Sequence, residues 1–434
     1  MKRLFIACIV LFSSTTLPAQ NINESKKIIS DLCSPEFKGR GYVDSGVQKA
    51  AVYLEEKFRE LNLLKFGSRY TQSYSFPVNT HPYAIHCRID GEEKKAGYDF
   101  LVDAGSGSIK GRFTLLHYNM KDSQDKFLLG LKIQQGFKSN DALVLHHQSS
   151  RENDILDSCK VYNHFPALLI TTEDKKLTHT ISRRVNDLPS LTFIDSAIVN
   201  KETMELDIQN EFISSYHCKN LVGYIKGKQS DSFVVYSAHY DHLGMLGTEA
   251  MFPGASDNAS GVSMVLYLAK YYATHQPDYN TVFILFSGEE AGLMGSEYFT
   301  TYPTFNLKKI KFLTNIDIMG NAEKGIVVVN GEVYKKQFDL LKSLNDSLKL
   351  LPEVRIRGKA RNSDHYYFSE MNIPAVFIYS NGGKGFYHDV FDVASSIDLT
   401  NYEEVGKLLI AFNGKLYQVK KSATKRRFGF FRRR

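Results

Sequence analysis

The amino-acid sequence predicts an α/β fold in which a mostly parallel, mixed sheet is covered by helices on both faces. From residue 220 onward, short apolar segments alternate with segments of helical periodicity. The apolar segments are nearly continuous, which is typical of strands that are buried on both faces of a parallel sheet. At 434 residues the chain is also long enough for a second structural unit. A smaller inserted module, α/β or mostly β, is therefore expected beside the main sheet.

Residues 1–19 have the pattern of a secretory signal peptide. Lys2 and Arg3 precede an apolar segment at 4–12, and the small residue Ala19 is suited to cleavage. The sequence therefore predicts an exported protein that is periplasmic or extracellular once the signal peptide is removed. No stretch after residue 20 is apolar and long enough to predict a transmembrane segment in the mature chain.

Residues 20–96 are expected to form the N-terminal part of the main domain. Apolar residues recur at helical spacing across 45–61, which predicts an amphipathic helix. Apolar and polar residues then alternate across 70–78 and 83–89, a period that is typical of strands. These two segments are predicted to form a hairpin or edge strands.

Residues 97–200 are predicted to be the inserted module. Its apolar segments at 113–116, 142–145 and 167–170 are separated by connections rich in Lys and Asp. None of the metal-binding side chains discussed below lies in this stretch. The sequence therefore indicates a separate unit, whose role is left open.

Residues 201–418 are predicted to be the largest part of the main domain. The candidate strands are short, β-branched or aromatic, and lie at 221–225, 233–236, 281–286, 311–316, 326–329 and 375–379. The candidate helices have apolar residues at helical spacing and lie at 260–274, 291–301, 334–348, 364–371 and 402–417. In sheets of this kind, ligands bind at the carboxyl ends of the strands.

The positive charge of the chain is concentrated at its C-terminal end. Lys and Arg outnumber Asp and Glu by seven in the whole chain, yet eight of these bases lie within residues 420–434, where there is no acid. The rest of the chain is not basic, so no nucleic-acid partner is predicted. The tail, residues 419–434, is expected to be a solvated terminus, with a weak contact to an anionic surface as the alternative.

Four cysteines remain once the signal peptide is removed, namely Cys33, Cys87, Cys159 and Cys218. Export would permit disulfide bonds, and four cysteines allow three complete pairings. These residues are scattered and form no Cys-x-x-Cys pair, which argues against a sulfur-bound metal. Any disulfide is expected to be structural, and its pairing is left open.

Five side chains that can bind a metal, and one further carboxylate, follow predicted strands of the main domain or open a helix there. They are, in chain order, His239, Asp257, Glu289, Glu290, Asp317 and His388. Each alone has an ordinary explanation, such as a helix N-cap for Asp257 or a solvated loop for His239. Together they offer two sets of histidine and carboxylate ligands with one carboxylate between them, which predicts a pair of divalent zinc ions.

The spacing of these residues also indicates separate roles. Asp241 is two residues after His239 and is expected to hold its imidazole through the other ring nitrogen. Small residues around Asp257 allow the close approach that a carboxylate shared by two cations requires. Of the adjacent acids, Glu290 is expected to bind a metal, which leaves Glu289 free to transfer protons.

Several segments resemble the di-zinc exopeptidase family that includes bacterial leucyl aminopeptidase, plasma glutamate carboxypeptidase and, more distantly, glutaminyl cyclase. The matching segments are 237–241, 254–261, 287–296, 315–320, 363–365, 373–375 and His388. The likeness covers about residues 220–415, and Glu36-Phe37-Lys38-Gly39-Arg40 with the following helix is similar to the start of the family's domain. The resemblance implies the zinc exopeptidase fold.

The same resemblance implies two zinc ions in this chain. One ion would be held by His239 and Asp317 and the other by Glu290 and His388, with Asp257 bridging them. Histidine and carboxylate sites accept several divalent ions, so cobalt or manganese in place of zinc is an alternative.

The function that the resemblance implies is that of an aminopeptidase acting on a peptide substrate, with a zinc-bound water and Glu289 as the general base. Carboxypeptidase or dipeptidase action and glutaminyl cyclase are alternatives on the same fold, and a non-catalytic binding module is a further one. The preferred N-terminal residue and the oligomeric state are left open. The inserted module is similar, at 140–144 and 165–170, to the protease-associated domain that some family members carry.

Overall fold

The computed structural model describes residues 22–147 and 152–427. The predicted signal peptide and the last part of the predicted tail, residues 428–434, lie outside the described residues. Within them the helices are α1 (Ile22–Leu32), α2 (Gly46–Glu60), α3 (Ser123–Gln135), α4 (Glu152–Tyr162), α5 (Asp195–Ile198), α6 (Gly261–Thr274), α7 (Met294–Thr301), α8 (Lys335–Leu348), α9 (His365–Glu370) and α10 (Tyr402–Arg427). Shorter helical turns lie at Pro35–Arg40, Ala255–Ser260, Leu307–Lys309 and Ala394–Ser396.

The strands of the described residues form two eight-stranded sheets and one short hairpin. In chain order they are β1 (Thr71–Thr80), β2 (His86–Ile89), β3 (Glu92–Glu93), β4 (Phe100–Val102), β5 (Ile109–Asn119), β6 (Asp141–His146), β7 (Leu168–Glu173), β8 (Ser190–Ile194), β9 (Thr203–Ile208), β10 (Glu211–Ile225), β11 (Gln229–His239), β12 (Gly244–Leu246), β13 (Ala250–Phe252), β14 (Tyr279–Phe286), β15 (Ile310–Ile316), β16 (Ile326–Val329), β17 (Val354–Ile356) and β18 (Ala375–Ser380).

The first sheet has the strand order β1-β10-β14-β11-β15-β18-β16-β17. Its central strands β14, β11, β15 and β18 are parallel, whereas β1, β10 and β16 introduce antiparallel pairings. Each of the six strands predicted between residues 221 and 379 lies inside one of these strands. The predicted mixed sheet with a parallel centre is therefore confirmed.

Helices cover both faces of this first sheet. All eight residues of β14 are buried, which explains why its sequence is apolar throughout. Phe283 packs with α1, α2, α6, α8 and α10 on one face. Its neighbour Ile284 packs on the other face with Phe299 of α7 and Phe368 of α9. Successive strand residues point to opposite faces, so a strand between two helical layers needs apolar residues at every position.

The second sheet and the helices that pack on it form a separate unit, called the second sheet unit. Its strand order is β3-β2-β9-β5-β6-β7-β8-β4, and its apolar core is separate from that of the first sheet. Strands β5 to β8 are parallel, and α3 and α4 pack against β6 and β7. The unit is thus α/β, and its strands span residues 86–208, wider than the 97–200 predicted for the inserted module.

The two alternating segments near the N-terminus do not pair with each other. Strand β1 lies at the edge of the first sheet, where Thr71 pairs with Leu221 of β10. Strand β2 belongs to the second sheet, where His86 pairs with Asp207 of β9. The predicted hairpin is therefore wrong, and the alternative of an edge strand holds for β1. Partners so distant in the chain leave no local signal in the sequence.

The C-terminal helix is longer than predicted, and the four cysteines of the described residues are not paired with one another. Helix α10 begins at Tyr402, as predicted, but its backbone continues to Arg427, into the segment predicted as a tail. The four cysteines of the described residues are buried free thiols, distributed over three apolar cores.

Among the described residues, no helix has the length and apolar character needed to span a membrane.

Candidate metal centre

The predicted metal-binding residues lie together at the carboxyl edge of the first sheet. His239 is the last residue of β11, and Asp317 directly follows β15. The pair Glu289-Glu290 comes shortly after β14, and His388 lies in the loop after β18. These four strands are parallel, so their carboxyl ends meet at one edge. Asp257 reaches the same edge from the helical turn that precedes α6.

Asp257 lies between the two imidazoles. Its Oδ1 atom is 3.2 Å from Nε2 of His239, and its Oδ2 atom is 3.1 Å from Nε2 of His388. The backbone amides of Ser256 and Asp257 donate hydrogen bonds to the buried carboxylate of Asp392. One carboxylate thus presents an oxygen to each ring, and Asp392 fixes the turn that carries it.

A second carboxylate accompanies each imidazole. Oδ1 of Asp317 is 3.2 Å from Nε2 of His239, and Oε2 of Glu290 is 3.1 Å from Nε2 of His388. Two ligands about 2.0–2.2 Å from one tetrahedral zinc ion lie roughly 3.3 Å from each other. The spacing of these atoms therefore fits a metal with one histidine, one carboxylate and one oxygen of Asp257 on each side.

The site contains many buried acids. Asp241, Asp257, Asp317 and Asp364 are buried, and the half-buried pair Glu289-Glu290 lies beside them. Both carboxylate oxygens of Asp364 lack a hydrogen-bond partner among the described residues. Carboxylates at this depth are stable only beside a compensating charge. A divalent cation bound by these acids would supply that charge.

The same crowding shifts the pKa values in the site. Burial raises the pKa of Glu289 well above its usual value; Glu290 and Asp317 raise it further, against the effect of His239. Burial would lower the pKa of His388, but the carboxylates of Glu290 and Asp257 raise it to about 11. The electrostatic field at the site is therefore strongly negative and favours cations.

The stretch that contains all of these ligands also matches a known family. Residues 220–413 match the family model of Peptidase family M28. This stretch, a little under half of the chain, is therefore similar to Peptidase family M28. The match agrees with the predicted resemblance to a zinc exopeptidase family and with the predicted class of enzyme, a hydrolase of peptide bonds.

Proteins similar in sequence to this chain include a named aminopeptidase and fungal proteins named as probable zinc metalloproteases. The chain is 23% identical over 409 residues to aminopeptidase YwaD of Bacillus subtilis, an alignment that covers 88% of this chain and 81% of the relative. It is 38% identical over 107 residues to a probable zinc metalloprotease of Pyricularia oryzae, covering 24% of this chain and 21% of that protein. The chain thus spans about a fifth of the length of this fungal relative.

Solved structures share the fold of this chain. BSAP, a zinc aminopeptidase from Bacillus subtilis, superposes with a TM-score of 0.69 at 16% identity, covering 92% of this chain and 95% of BSAP. The aminopeptidase from Aneurinibacillus sp. strain AM-1 superposes with a TM-score of 0.62 at 19% identity, covering 92% and 94%. These likenesses confirm the α/β architecture.

Asp241 supports the site in a different way from the one predicted. Nδ1 of His239 donates to the backbone carbonyl of Asp241 at 3.2 Å, while the nearer carboxylate oxygen is 3.8 Å away. That carboxylate instead accepts from the amides of Glu289 and Glu290 at 3.2 and 3.3 Å and from the hydroxyl of Tyr42 at 2.8 Å. Asp241 therefore fixes the backbone of the two glutamates, and its main chain orients His239.

Two further residues hold ligands of the site, and neither was assigned a role from the sequence. Nδ1 of His242 is 2.7 Å from Oε1 of Glu290. The hydroxyl of Ser363 donates to Oδ2 of Asp317 at 2.8 Å. Glu290 and Asp317 thus each have one oxygen held by one of these side chains and the other directed at the imidazole of His388 or His239. His242 is three residues after His239, and Ser363 opens a segment that carries the family resemblance, so a sequence signal existed for both.

Arg40 joins the loops that carry the ligands. Its guanidinium is fully buried and donates to the backbone carbonyls of Tyr240 at 2.8 Å, Pro253 at 2.6 Å, Gly254 at 2.7 Å and Leu32 at 3.0 Å. Tyr240 follows His239, and Gly254 precedes the turn of Asp257. Arg40 therefore sets the distance between these two loops.

A cavity of about 270 Å³ opens beside the ligands. Its apolar lining consists of Ile318, Tyr379, Phe386, Tyr387 and Ile397. The ring of Tyr387 stacks on that of His388 at 3.9 Å between centroids. The cavity thus adjoins the metal-binding residues and suits an apolar side chain.

Proposed function

We propose that this protein is a zinc aminopeptidase that holds two zinc ions and releases the N-terminal residue of peptides. The observation that carries the proposal is the position of Asp257, with one oxygen towards His239 and the other towards His388. A single ion would need only one of the two histidine and carboxylate sets. The second set, and a carboxylate placed between them, favour a pair.

Glu289 is the proposed general base. Bound zinc supplies Lewis-acid chemistry, since it acidifies water and polarises a carbonyl. A carboxylate oxygen of Glu289 lies within 4.8 Å of ligand atoms of His239 and Asp317, yet Glu289 is not needed as a ligand. It accepts the proton of the attacking water and returns it to the departing amine. Burial raises the pKa of Glu289 and the acids beside it raise it further, which favours proton uptake at this carboxylate.

Aminopeptidase action is supported by two independent features. The relative YwaD, which aligns over 88% of this chain, is named an aminopeptidase. The apolar cavity beside His388 suits the side chain of the residue to be released.

A panel of three peptide types tests the assignment. A peptide with a free N-terminus and an amidated C-terminus should lose its first residue, whereas a peptide with an acetylated N-terminus and a free C-terminus should stay intact. Chelation should abolish cleavage, and add-back should restore it at two zinc ions per chain. Cleavage of the acetylated peptide at its C-terminus would instead indicate a carboxypeptidase, and cyclisation of N-terminal glutamine a glutaminyl cyclase. Zinc binding without turnover on any substrate would indicate a binding module.

We also propose that the protein is exported, on the basis of the signal-peptide pattern of residues 1–19. After expression of the full chain in a bacterium, the periplasm and medium should contain a mature form that begins at Gln20. N-terminal sequencing of each cell fraction checks this. A precursor that keeps Met1 and remains in the cytoplasm would contradict export.

A further inference from the structure

The loop that carries His388 has little structure of its own. Residues 381–393 contain neither helix nor strand, and Gly382, Gly383 and Gly385 in this loop have positive φ. His388 itself has φ 55°, a left-handed conformation that non-glycine residues adopt only where their surroundings hold them. The position of this ligand must therefore be fixed from outside the loop.

The second sheet unit provides that support through the backbone of His179, in the connection between β7 and β8. The amide of His179 donates to the carbonyl oxygen of His388 at 2.9 Å. In return, Nδ1 of His388 donates to the carbonyl oxygen of His179 at 3.0 Å. Because Nδ1 carries the proton in this bond, Nε2 keeps its lone pair for the site. The second sheet unit thus sets both the backbone and the tautomer of the ligand.

Lys176 contacts the loop on both sides of His388. Its ammonium nitrogen is 2.9 Å from Oδ2 of Asp389 and 3.1 Å from the carbonyl oxygen of Gly385. Asp389 is buried, and its carboxylate accepts from the amides of Tyr387 at 3.2 Å and Phe391 at 2.9 Å. Lys176 therefore balances the charge of the carboxylate around which the loop is folded.

The loop is also anchored on the C-terminal side of His388. Val390 is buried in the apolar core of the second sheet unit, in the cluster that contains Phe252. The ring of Phe391 contacts the ring of Tyr98 edge to face, with 5.8 Å between centroids. Residues before, at and after His388 thus all contact the second sheet unit or the residues of its core.

We propose that segment 176–179 of the second sheet unit is a positioning element of the metal centre, with Lys176 as the residue that holds the His388 loop. Lys176 acts through Gly385 and Asp389 and does not itself bind metal. This inference rests on the proposed function, which supplies the identity of the ion. It assigns a role to the inserted module, which the sequence left open.

Three variants of the full-length protein test the role of Lys176. Lys176→Met removes the charge and keeps most of the side-chain volume, Lys176→Arg keeps the charge, and Lys175→Met changes an exposed neighbour as the matched control. Zinc affinity is measured by competition with a chromogenic chelator. Wild type and Lys175→Met should bind two ions alike. Lys176→Met should bind one of them about 10–100-fold more weakly, the range typical of residues that orient metal ligands, and Lys176→Arg should recover most of this loss.

A second measurement does not depend on metal. In metal-free protein, amide hydrogen exchange across residues 381–393 should be faster in Lys176→Met than in Lys175→Met, because the loop has lost its anchor. Wild-type zinc affinity together with wild-type exchange in Lys176→Met would overturn the proposal. If that variant fails to fold, Asp389→Asn removes the same ion pair and retains one acceptor oxygen, which can still accept from the amide of Phe391.

The outcomes separate this inference from the proposed function. If Lys176→Met loses one ion while wild type cleaves no peptide, the positioning role stands and the aminopeptidase assignment fails. If wild type cleaves peptides and Lys176→Met keeps both ions and a protected loop, only the positioning role fails. A wild-type protein that binds no divalent ion would overturn both.

Discussion

Glu289 and Glu290 are adjacent in sequence but experience opposite electrostatic surroundings. Burial raises the pKa of Glu289, and nearby acids add to this effect. Burial acts on Glu290 in the same direction, but His388 and His242 outweigh it and lower the pKa of Glu290 to about 2. Two carboxyl groups whose pKa values are pushed apart in this way are suited to different tasks, proton transfer for one and cation binding for the other.

The first prediction concerns Glu289→Gln. The amide cannot accept a proton, so kcat should fall about 10²–10⁴-fold. Because Glu289 is not a proposed ligand, zinc content should stay at two ions per chain, as measured by elemental analysis. Glu297→Gln, which alters an exposed acid in α7, is the matched control and should leave kcat unchanged. Near-normal turnover of Glu289→Gln would sink the assignment.

The second prediction concerns His242, whose Nδ1 is 2.7 Å from Glu290. His242→Phe keeps an aromatic ring but leaves Oε1 of Glu290 without its partner. Zinc affinity should fall about 10–100-fold, measured by chelator competition. His86→Phe, at an exposed position in β2, should leave the affinity unchanged. Equal affinities in the two variants would show that His242 does not hold Glu290.

The sequence pointed to six side chains that lie together in the structure, because they follow or adjoin strongly apolar segments at chain positions where a parallel sheet exposes its carboxyl ends; their metal-binding and catalytic roles stay a prediction. It did not identify Arg40, Asp392 or Lys176. Their partners are about 135–210 residues away in the chain, at Gly254, Asp257 and Asp389. Such contacts depend on how the elements are packed, and a single sequence contains no spacing that reveals them.

At the scale of elements, Arg40 links the first helical turns to the ends of two site loops. Its guanidinium donates to four carbonyl groups, of which, among the described residues, only that of Gly254 has a second donor, the amide of Ala259. Each buried polar group left unpaired costs about 1–3 kcal/mol. Arg40→Met should therefore lower the free energy of unfolding by at least about 3 kcal/mol, measured by denaturant titration of the zinc-loaded protein.

Arg59→Met is the control for Arg40→Met. Arg59 is exposed on α2 and forms ion pairs with Glu55 and Glu56 at the surface. Exposed pairs contribute about 0–1 kcal/mol, so this variant should unfold close to the wild-type midpoint. A loss as large as that of Arg40→Met would show that the effect comes from removing any arginine rather than from the buried carbonyls.

Elements of the first sheet were predicted well because burial on two faces leaves a strong trace in composition. Strand β14 is apolar in nearly every position, and the predicted helices at 260–274 and 334–348 match α6 and α8 almost residue for residue. Strand β2 was misplaced because alternation shows that a segment is a strand but not which sheet it joins. Helix α1 was not predicted at all.

For the molecule as a whole, bound metal is predicted to be a major source of stability. Removal of the ions leaves a cluster of buried carboxylates without compensating charge. Chelation should therefore lower the thermal midpoint, and zinc at 100 times its dissociation constant should restore about 2.7 kcal/mol per site. Differential scanning calorimetry before and after add-back measures this. An unchanged midpoint in fully metal-free protein would contradict the prediction.

The sequence also indicated two units, but the range predicted for the inserted module is narrower than the range of the second sheet. The composition changes near residue 97, yet the second sheet begins at His86 and ends at Ile208. Short strands near its edge, such as β2 beside the edge strand β3, resemble β1, the preceding strand in the chain, in their alternation. Only the pairing of β2 with β9 shows to which unit it belongs.

The chain leaves the first sheet at the end of β1 and returns to it at the start of β10, where Thr80 and Glu211 are paired neighbours. The whole excursion could thus be replaced by a tight turn without interrupting the ladder between these strands. Such a shortened protein would retain the first sheet but would lose the contacts between segment 176–179 and the loop that carries His388. A foreign unit grafted at this place would therefore need a segment that matches this loop.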